Sequence, residues 1–126
     1  YNEKSGLLEW SGANNPLWII RNNNMLLEEL VPDKQPIGMY SNKRLFTNHK
    51  IKLNKGDQIF LFSDGFADQF GGKSSKKYKS ANFKKFLLSI FEKPMDQQKK
   101  LLSKEFDSWK GDLEQIDDVC VMGVRI

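Results

Sequence analysis

The sequence has one cysteine, Cys120, and one histidine, His49, among its 126 residues. A single cysteine cannot form a disulfide within the chain, so nothing indicates an oxidising compartment. Cys120 lies in an apolar run, and we expect a buried core residue rather than a nucleophile. His49 shares one face of a predicted strand with Ile51 and Leu53. Because no carboxylate partner for His49 is apparent in the sequence, we interpret it as a structural residue rather than a general acid.

Long apolar runs are also absent. The longest have four residues, as from Ile59 to Phe62, far short of the ~20 residues that a membrane-spanning helix needs. The chain starts at Tyr1 without an initiator methionine, and no apolar segment of a secretory signal follows. We therefore expect a piece of a longer chain, with no membrane span of its own.

What is present suffices for a folded domain. Hydrophobic residues make up 39% and aromatic residues 12% of the sequence, which argues against intrinsic disorder. The net charge is +4, and much of the excess lies between positions 73 and 85, where lysines occur without any acidic residue. A charged run of this kind is usually a solvated segment, although it could also bind phosphate groups or nucleic acid.

The apolar pattern predicts a run of strands, then two helices, then a last strand. We predict strands at residues 7–10, 17–21, 25–30, 46–53, 58–63 and 119–124. The strand at 58–63 is apolar at four successive positions, which predicts a central strand buried on both faces. Residues 71–79 are predicted to be a mobile loop.

The helices are predicted from apolar side chains at helical spacing. One stripe runs from Phe83 to Phe91 and another from Met95 to Trp109, with Gly111 as the stop of the second helix. Because strands and helices occur in separate runs, the fold class predicted is α+β. We expect one or more antiparallel β-sheets with two antiparallel helices on one face.

Acidic side chains stand at the ends of two predicted apolar strands. Asp64 follows the strand at 58–63, whereas Asp117 and Asp118 precede the last strand. If these strands are antiparallel neighbours, the carboxylates come close enough to share a metal ion, and Mg²⁺ and Mn²⁺ prefer oxygen ligands. The alternative is that Asp64 caps a short helix and that Asp117 and Asp118 close a turn. Ser-Asp-Gly alone does not decide between them.

Several blocks of the sequence resemble a known family. Residues 56–65 (GDQIFLFSDG) are similar to a block of the PP2C-like metal-dependent phosphatases. Residues 10–17 (WSGANNPL), 36–38 (PIG) and 117–121 (DDVCV) resemble further blocks of the bacterial SpoIIE/RsbU branch, in family order. The pattern predicts a SpoIIE/RsbU-type serine phosphatase domain, of which residues 1–126 would be the C-terminal part. Its fold would be a partial αββα sandwich.

The segment at 67–72, taken together with residues 109–111, resembles a subgroup of this branch. Members of that subgroup follow sensor modules in signalling proteins. The resemblance therefore implies an upstream sensor domain in the same chain. It also implies a cytoplasmic protein, either free or at the cytoplasmic end of a membrane-anchored sensor.

The resemblance also implies roles for individual residues. Asp64 and Asp117 match ligands of a pair of Mn²⁺ or Mg²⁺ ions, and Gly65 and Asp118 match supporting positions. The reaction implied is hydrolysis of phosphoserine or phosphothreonine on a regulatory protein. The first metal motif of the family normally lies upstream, and nothing in this sequence matches it. We therefore expect the 126 residues to bind metal poorly, to be nearly inactive alone, and to pair with a second copy through exposed apolar faces.

The implied partner is a phosphoprotein such as an anti-sigma-factor antagonist, and we expect no nucleic-acid partner. In the family a segment near the site contacts the substrate, which makes Lys73, Lys76 and Lys77 candidates for substrate docking. Two other functions stay open. A non-catalytic interaction or dimerisation module would not need Asp64, and a nucleic-acid-binding protein would show a steep salt dependence.

Overall fold

The observed strands and helices follow the apolar pattern of the sequence. The computed structural model describes residues 1–39, 41 and 44–126. The strands are β1 (Leu7–Trp10), β2 (Leu17–Ile20), β3 (Leu27–Leu30), β4 (His49–Lys52), β5 (Gln58–Phe62), β6 (Phe70–Gly71), β7 (Lys76–Lys77) and β8 (Val121–Arg125). The helices are α1 (Gly65–Asp68), α2 (Ser80–Ile90) and α3 (Met95–Lys110).

The described residues form two compact units. One consists of Tyr1–Leu61 with Gly123–Ile126, and the other of Phe62–Met122. The pairings of β1 with β4, β2 with β3, β2 with β5 and β6 with β7 are all antiparallel. The predicted α+β chain with antiparallel sheets is therefore confirmed. Within the described residues, no helix is both long and apolar enough to cross a membrane.

The first unit contains the predicted hairpin. Strands β2 and β3 pair from Leu17 opposite Leu30 to Ile20 opposite Leu27, and the Asn-rich turn joins them. Strand β4 is shorter than the strand predicted at 46–53. The reason is that Thr47 bonds the carboxylate of Asp33 through both its N–H and its hydroxyl, at 2.7 and 3.1 Å. Residue 47 therefore has no ladder partner.

Apolar side chains of the first unit gather in one cluster. Its buried members are Leu8, Leu17, Ile19 and Leu53, and the partly buried side chains of Trp10, Leu30, Ile51, Ile59 and Ile126 pack against them. His49 is half-buried, with its ring 5.3 Å from that of Trp10, which agrees with a residue on a strand face. Burying such side chains supplies the main stabilisation of the unit.

The strand buried on both faces is β2 rather than β5. All four side chains of β2 are buried, from Leu17 to Ile20. Strand β5 does lie between β2 and β8 in the four-stranded sheet, as a central strand should. However, Leu61 is 39% exposed, so burial on both faces is wrong for β5. A central position satisfies the backbone hydrogen bonds of a strand, but only a covering layer buries its side chains.

The last strand is also more exposed than expected. It begins at Val121, forms the edge of the sheet, and carries the exposed side chains of Met122 and Val124. Cys120 precedes it and is exposed, so the prediction of a buried cysteine is wrong. An apolar run identifies a strand, but it does not say whether that strand has neighbours on both sides.

In the second unit, an aromatic cluster replaces the aliphatic core. The ring of Phe66 in α1 stacks on Phe83 of α2, with centroids 4.4 Å apart. It also meets the ring of Tyr78 edge-on at 5.2 Å and lies 5.3 Å from Phe106 of α3. Edge-to-face and offset contacts of this kind add to the stabilisation from burial alone. The two predicted helices are confirmed, and Gly111 follows the last residue of α3 as its C-cap.

The segment predicted as a mobile loop is a small hairpin. Strands β6 and β7 pair Phe70 with Lys77 and Gly71 with Lys76. The chain then returns to α1, because the N–H of Tyr78 donates to the carbonyl of Gln69 and that of Lys79 to the carbonyl of Ala67. Tyr78 is buried. The glycine, serine and lysine residues of this segment indicated a loop. The burial of Tyr78, which follows them, holds the segment in place as a hairpin.

Asp57 is the polar centre of the first unit and only 1% exposed. Its carboxylate accepts hydrogen bonds from the guanidinium of Arg21 and from the N–H groups of Asn22 and Asn54, at 2.9–3.0 Å. Burial by itself would raise the pKa of Asp57. The two backbone donors and the Arg21 guanidinium outweigh it and hold this pKa below its ordinary value of 3.8.

We expect Asp57→Asn to lower the free energy of unfolding by about 1.5–3 kcal/mol, because hydrogen bonds to an ionised acceptor are lost while Arg21 keeps its ion pair with Glu28. Since the folded-state pKa of Asp57 is depressed, its stabilising contribution is complete above pH 3.8 and is lost as the pH falls below that value. The acid-dependent loss of stability should therefore be shallower in Asp57→Asn than in the parent protein.

Urea unfolding followed by circular dichroism between neutral and acid pH measures both effects. Asp112→Asn is the matched control, because Asp112 is exposed. Equal acid slopes in the parent, the Asp57 variant and the control would contradict the assignment.

Candidate functional site

Ser63 joins the two acidic segments of the second unit. Its N–H donates to the carbonyl of Cys120 at 3.0 Å, and its hydroxyl donates to the carbonyl of Asp118 at 2.7 Å. The same hydroxyl accepts the N–H of Cys120 at 2.9 Å. These three bonds hold the residue before Asp64 against the residues that follow Asp117. The two acidic strand ends are therefore neighbours, as an antiparallel arrangement predicts.

Gly65 allows the two segments to approach each other. A Cβ atom at this position would lie 2.5 Å from the carbonyl oxygen of Asp118 and 3.2 Å from Cγ2 of Val119. Gly65 begins α1 and does not have a positive φ. Its value here is therefore the space left by the missing side chain, not the backbone freedom of glycine.

The carboxylate of Asp64 is exposed and does not cap helix α1 by a hydrogen bond. Asp64 stands at the N-cap position of α1 with an α-helical backbone (φ −72°, ψ −15°), and its side chain makes no cap hydrogen bond. Asp64 therefore occupies the N-cap position that the alternative predicted, but its side chain does not form the hydrogen bond of a cap. A solvent-facing carboxylate at the start of a helix remains available to a cation.

Asp117 and Asp118 are both exposed. One carboxylate oxygen of Asp117, Oδ1, accepts the N–H of Asp118 at 2.7 Å, and the Asp117 carbonyl accepts Nε2 of Gln115 at 2.8 Å. The turn thus fixes Asp117 and leaves its second carboxylate oxygen unused by these bonds. Across residues 1–39, 41 and 44–126, no group of three or more His, Cys, Asp or Glu side chains that could hold a metal ion is found.

This donor set fits part of a site for a hard divalent cation. Carboxylate oxygens are the preferred ligands of Mg²⁺ and Mn²⁺, and such ions take several oxygen ligands, water included. The short segments that carry Asp64 and Asp117 are anchored, since Phe66 is buried in the aromatic cluster two residues after Asp64. Two anchored carboxylates can contribute to a cation site, but they do not fill its coordination shell.

A second connection ties α1 to the end of α3. The indole N–H of Trp109 donates to the carbonyl of Gln69 at 2.9 Å, and the N–H of Gly72 donates to the Trp109 carbonyl at 2.9 Å. A Cβ atom on Gly71 would lie 1.9 Å from that carbonyl oxygen. The two blocks that resemble the sensor-linked subgroup, 67–72 and 109–111, are therefore in contact, and the glycine provides the space.

Gln69 extends this connection towards the acidic turn. The side chain is fully buried, and its Nε2 donates to the carbonyl of Glu114 at 2.8 Å and to that of Phe70 at 3.0 Å. The bond to Glu114 holds the segment that leads into Asp117. Among the described residues, the other side-chain atom, Oε1, is buried without a hydrogen-bond partner, which is a costly arrangement.

The three candidate lysines differ in their surroundings. All are exposed on the β6–β7 hairpin. Lys77 forms an ion pair with Asp68 of α1 at 2.9 Å, so part of its charge is compensated. Among the described residues, Lys73 and Lys76 have no ion-pair partner within 4.0 Å. These two are better placed than Lys77 to meet an acidic surface.

Sequence reasoning missed the roles of Ser63 and Gln69. The signal for Ser63 was present, since a serine at the end of a strand and directly before an aspartate often bonds nearby backbone. Its partners, however, lie more than fifty residues away. Nothing in the sequence predicted that Gln69 is buried, because a glutamine between two short elements is usually a surface residue.

We expect Ser63→Ala to lower the free energy of unfolding by about 1–2 kcal/mol, because two hydrogen bonds are lost and the N–H of Cys120 loses its acceptor. Urea unfolding measures this change, and amide hydrogen exchange at Cys120 should become faster. Ser103→Ala, at an exposed position of α3, is the control. Unchanged exchange at Cys120 in Ser63→Ala would rule out the connection.

Comparisons with known proteins agree on one family. The family model "Stage II sporulation protein E (SpoIIE)" matches residues 1–126. No curated protein matches the chain. Three similar solved structures show the fold.

The SiaA-PP2C domain of Pseudomonas aeruginosa is 23% identical with a TM-score of 0.85, over 98% of this chain and 48% of that one. The RsbU and RsbW domains of Rv1364c from Mycobacterium tuberculosis are 20% identical with a TM-score of 0.71, over 96% and 32%. The phosphatase domain of SpoIIE from Bacillus subtilis, presoaked with Mn, is 22% identical with a TM-score of 0.62, over 95% and 49%.

The chain thus spans half or less of each of these three solved structures. The likeness confirms the predicted PP2C-like fold, and the family match extends over every residue of the sequence. On this evidence the chain belongs to the SpoIIE family of PP2C-like phosphatase domains.

Proposed function

We propose that this chain supplies two metal ligands to a protein serine/threonine phosphatase that depends on Mn²⁺ or Mg²⁺. One observation carries the proposal. Ser63 binds the backbone of Asp118 and Cys120, and so brings the segments of Asp64 and Asp117 together. The family match supports a phosphatase, and the Mn-presoaked neighbour supports a divalent ion.

In this proposal Asp64 and Asp117 hold the ions through their free carboxylate oxygens. Asp118 supports the turn by donating its N–H to Asp117, and Gly65 leaves room for the turn beside α1. When bound, the ions would polarise the phosphoryl group and lower the pKa of a coordinated water. No side chain of the chain is assigned as a covalent nucleophile.

Residues 1–126 form, on this proposal, the C-terminal part of a single phosphatase domain. The remaining ligands come from a segment outside the 126 residues. Two carboxylates do not complete a two-metal site, and no third ligand joins them among the described residues. We therefore propose that the 126 residues alone bind Mn²⁺ weakly and turn over little. Exposed apolar side chains such as Leu61 and Met122 would favour pairing with a second copy.

The substrate proposed is a regulatory phosphoprotein such as an anti-sigma-factor antagonist, in the cytoplasm. The neighbours with RsbU, RsbW and SiaA domains support a signalling context. A sensor domain upstream in the same chain would control the activity. We expect no nucleic-acid partner. Lys73 and Lys76 would meet acidic side chains of the phosphoprotein, because their charges are not compensated by described residues.

We expect Asp64→Ala and Asp117→Ala each to reduce Mn²⁺-dependent hydrolysis of a phosphoserine peptide by about a hundredfold or more, since charge stabilisation at the phosphoryl group is lost. The assay uses the longest native chain that contains these residues. Titration calorimetry with Mn²⁺ should show weaker binding in both variants. Asp112→Ala, in the segment that leads to Asp117, should behave like the parent protein.

Two results would count against this proposal. A long native chain that is inactive with every divalent ion tested would exclude the enzyme. Unchanged Mn²⁺ affinity in Asp64→Ala would exclude the assigned ligand. Either result would favour a non-catalytic interaction module on the same fold.

We expect the double variant Lys73→Gln/Lys76→Gln to raise KM for a phosphoprotein substrate several-fold and to leave hydrolysis of para-nitrophenyl phosphate unchanged. Docking charges act on the protein surface and not on the reacting phosphoryl group. Lys99→Gln/Lys100→Gln on α3 removes the same charge elsewhere and is the control. Equal effects of the two double variants, or an equal loss on both substrates, would refute a docking role.

A further inference from the structure

A groove between α2 and α3 lies apart from the acidic segments. It has a volume of about 380 Å³ and opens to solvent. Its lining combines aromatic rings with a few polar groups, from Tyr78, Asn82, Lys85, Phe86, Glu105 and Trp109. Sites of this size and chemistry commonly bind ligands or the anchoring side chains of a partner.

The walls of the groove are fixed by internal contacts. The hydroxyl of Tyr78 donates to the carboxylate of Glu105 at 2.9 Å, and its ring meets that of Trp109 edge-on at 5.2 Å. Burial, followed by the bond to Glu105, raises the pKa of Tyr78 above its ordinary value, so the hydroxyl remains a donor at neutral pH. The indole N–H of Trp109 is held by the Gln69 carbonyl. A partner would therefore find a preformed surface and would not have to order it.

Charge indicates what kind of partner fits. Residues 73–110 contain eleven lysines and four acidic residues, whereas the rest of the chain contains nine basic and twelve acidic residues. Lys85 is exposed at the groove and has no ion pair within the part of the chain that the structure describes. The one acid of the lining, Glu105, already accepts the Tyr78 hydroxyl. The groove thus combines aromatic rings with an exposed lysine, and it lies in a stretch of the chain where lysines outnumber acidic residues.

We infer that this groove binds an acidic protein segment. The segment would insert one aromatic or aliphatic side chain against Phe86 and Trp109 and place a carboxylate beside Lys85. Aromatic contacts would supply most of the affinity, and the surrounding lysines would steer the approach of the segment. The ring of Tyr78 is buried and meets that of Trp109 edge-on, so the two rings offer no open pair of faces for stacked bases. A protein segment is therefore favoured over a nucleic acid.

Binding at the groove is separate from the proposed phosphatase chemistry. None of the lining residues belongs to the segments of Asp64 or Asp117. An Asp64→Ala variant, which should lose activity, should bind the same segment with unchanged affinity. Failure of the phosphatase proposal and failure of this one would therefore give different results.

The test uses the longest native chain that contains these residues and a set of short fluorescein-labelled peptides. Each peptide combines several glutamates with one phenylalanine, tryptophan or leucine at varied positions, and fluorescence anisotropy measures its Kd. We expect the best peptide to lose about tenfold in affinity in Lys85→Glu, where an attractive charge contact becomes repulsive. Lys100→Glu, the same charge change on α3 outside the lining, should change Kd little.

Companion peptides separate the two parts of the inference. Replacing the glutamates by glutamines, or the apolar residue by serine, should each abolish the preference. Phe86→Ala should weaken binding, with circular dichroism confirming that the variant is folded.

The inference is wrong if no acidic peptide binds more tightly than its glutamine version. It is also wrong if Lys85→Glu and Lys100→Glu weaken binding equally, which would mean general charge attraction. A third contrary result would be that oligothymidine or anionic lipid vesicles bind more tightly than every peptide and with the same dependence on Lys85.

Discussion

The hydroxyl of Ser63 is the contact on which the candidate site depends. It donates to the carbonyl of Asp118 and accepts the N–H of Cys120, so one small side chain satisfies two backbone groups of a distant segment. Two turns that each carry an exposed carboxylate would otherwise repel each other. The hydrogen bonds of Ser63, together with the absence of a side chain at Gly65, hold them side by side. A cation between such carboxylates would then remove the repulsion.

Burial of apolar side chains stabilises both units, and each unit also has one residue on which several contacts converge. In the first unit, buried Asp57 gathers the Arg21 guanidinium and two backbone N–H groups. In the second unit, the ring of Phe66 contacts rings from α2 and α3 and the ring of Tyr78. Because Phe66 lies two residues after Asp64, the aromatic core and the acidic segment are parts of one short stretch of chain.

Trp109, near the end of α3, contributes both to the β6–β7 hairpin and to the groove between α2 and α3. Trp109 binds the Gln69 carbonyl through its indole and the Gly72 N–H through its own carbonyl, which fixes the hairpin that carries Lys73 and Lys76. The same ring forms a wall of the groove between α2 and α3. The glycines at 71 and 72 are needed because the backbone passes directly over this side chain. The hairpin that carries these lysines and the groove therefore share the contacts of Trp109.

The sequence by itself determined the elements and the candidate ligands. Apolar periodicity located both helices and most strands, and position at strand ends identified Asp64, Asp117 and Asp118, because these signals are local. Tertiary structure decided which apolar faces are covered, and β2 rather than β5 is buried on both faces. It also decided that Cys120 is exposed, that residues 71–79 belong to a hairpin, and that Ser63 and Gln69 hold distant backbone. Burial and side-chain hydrogen bonding depend on residues far away in the chain, and a local sequence pattern does not identify those residues.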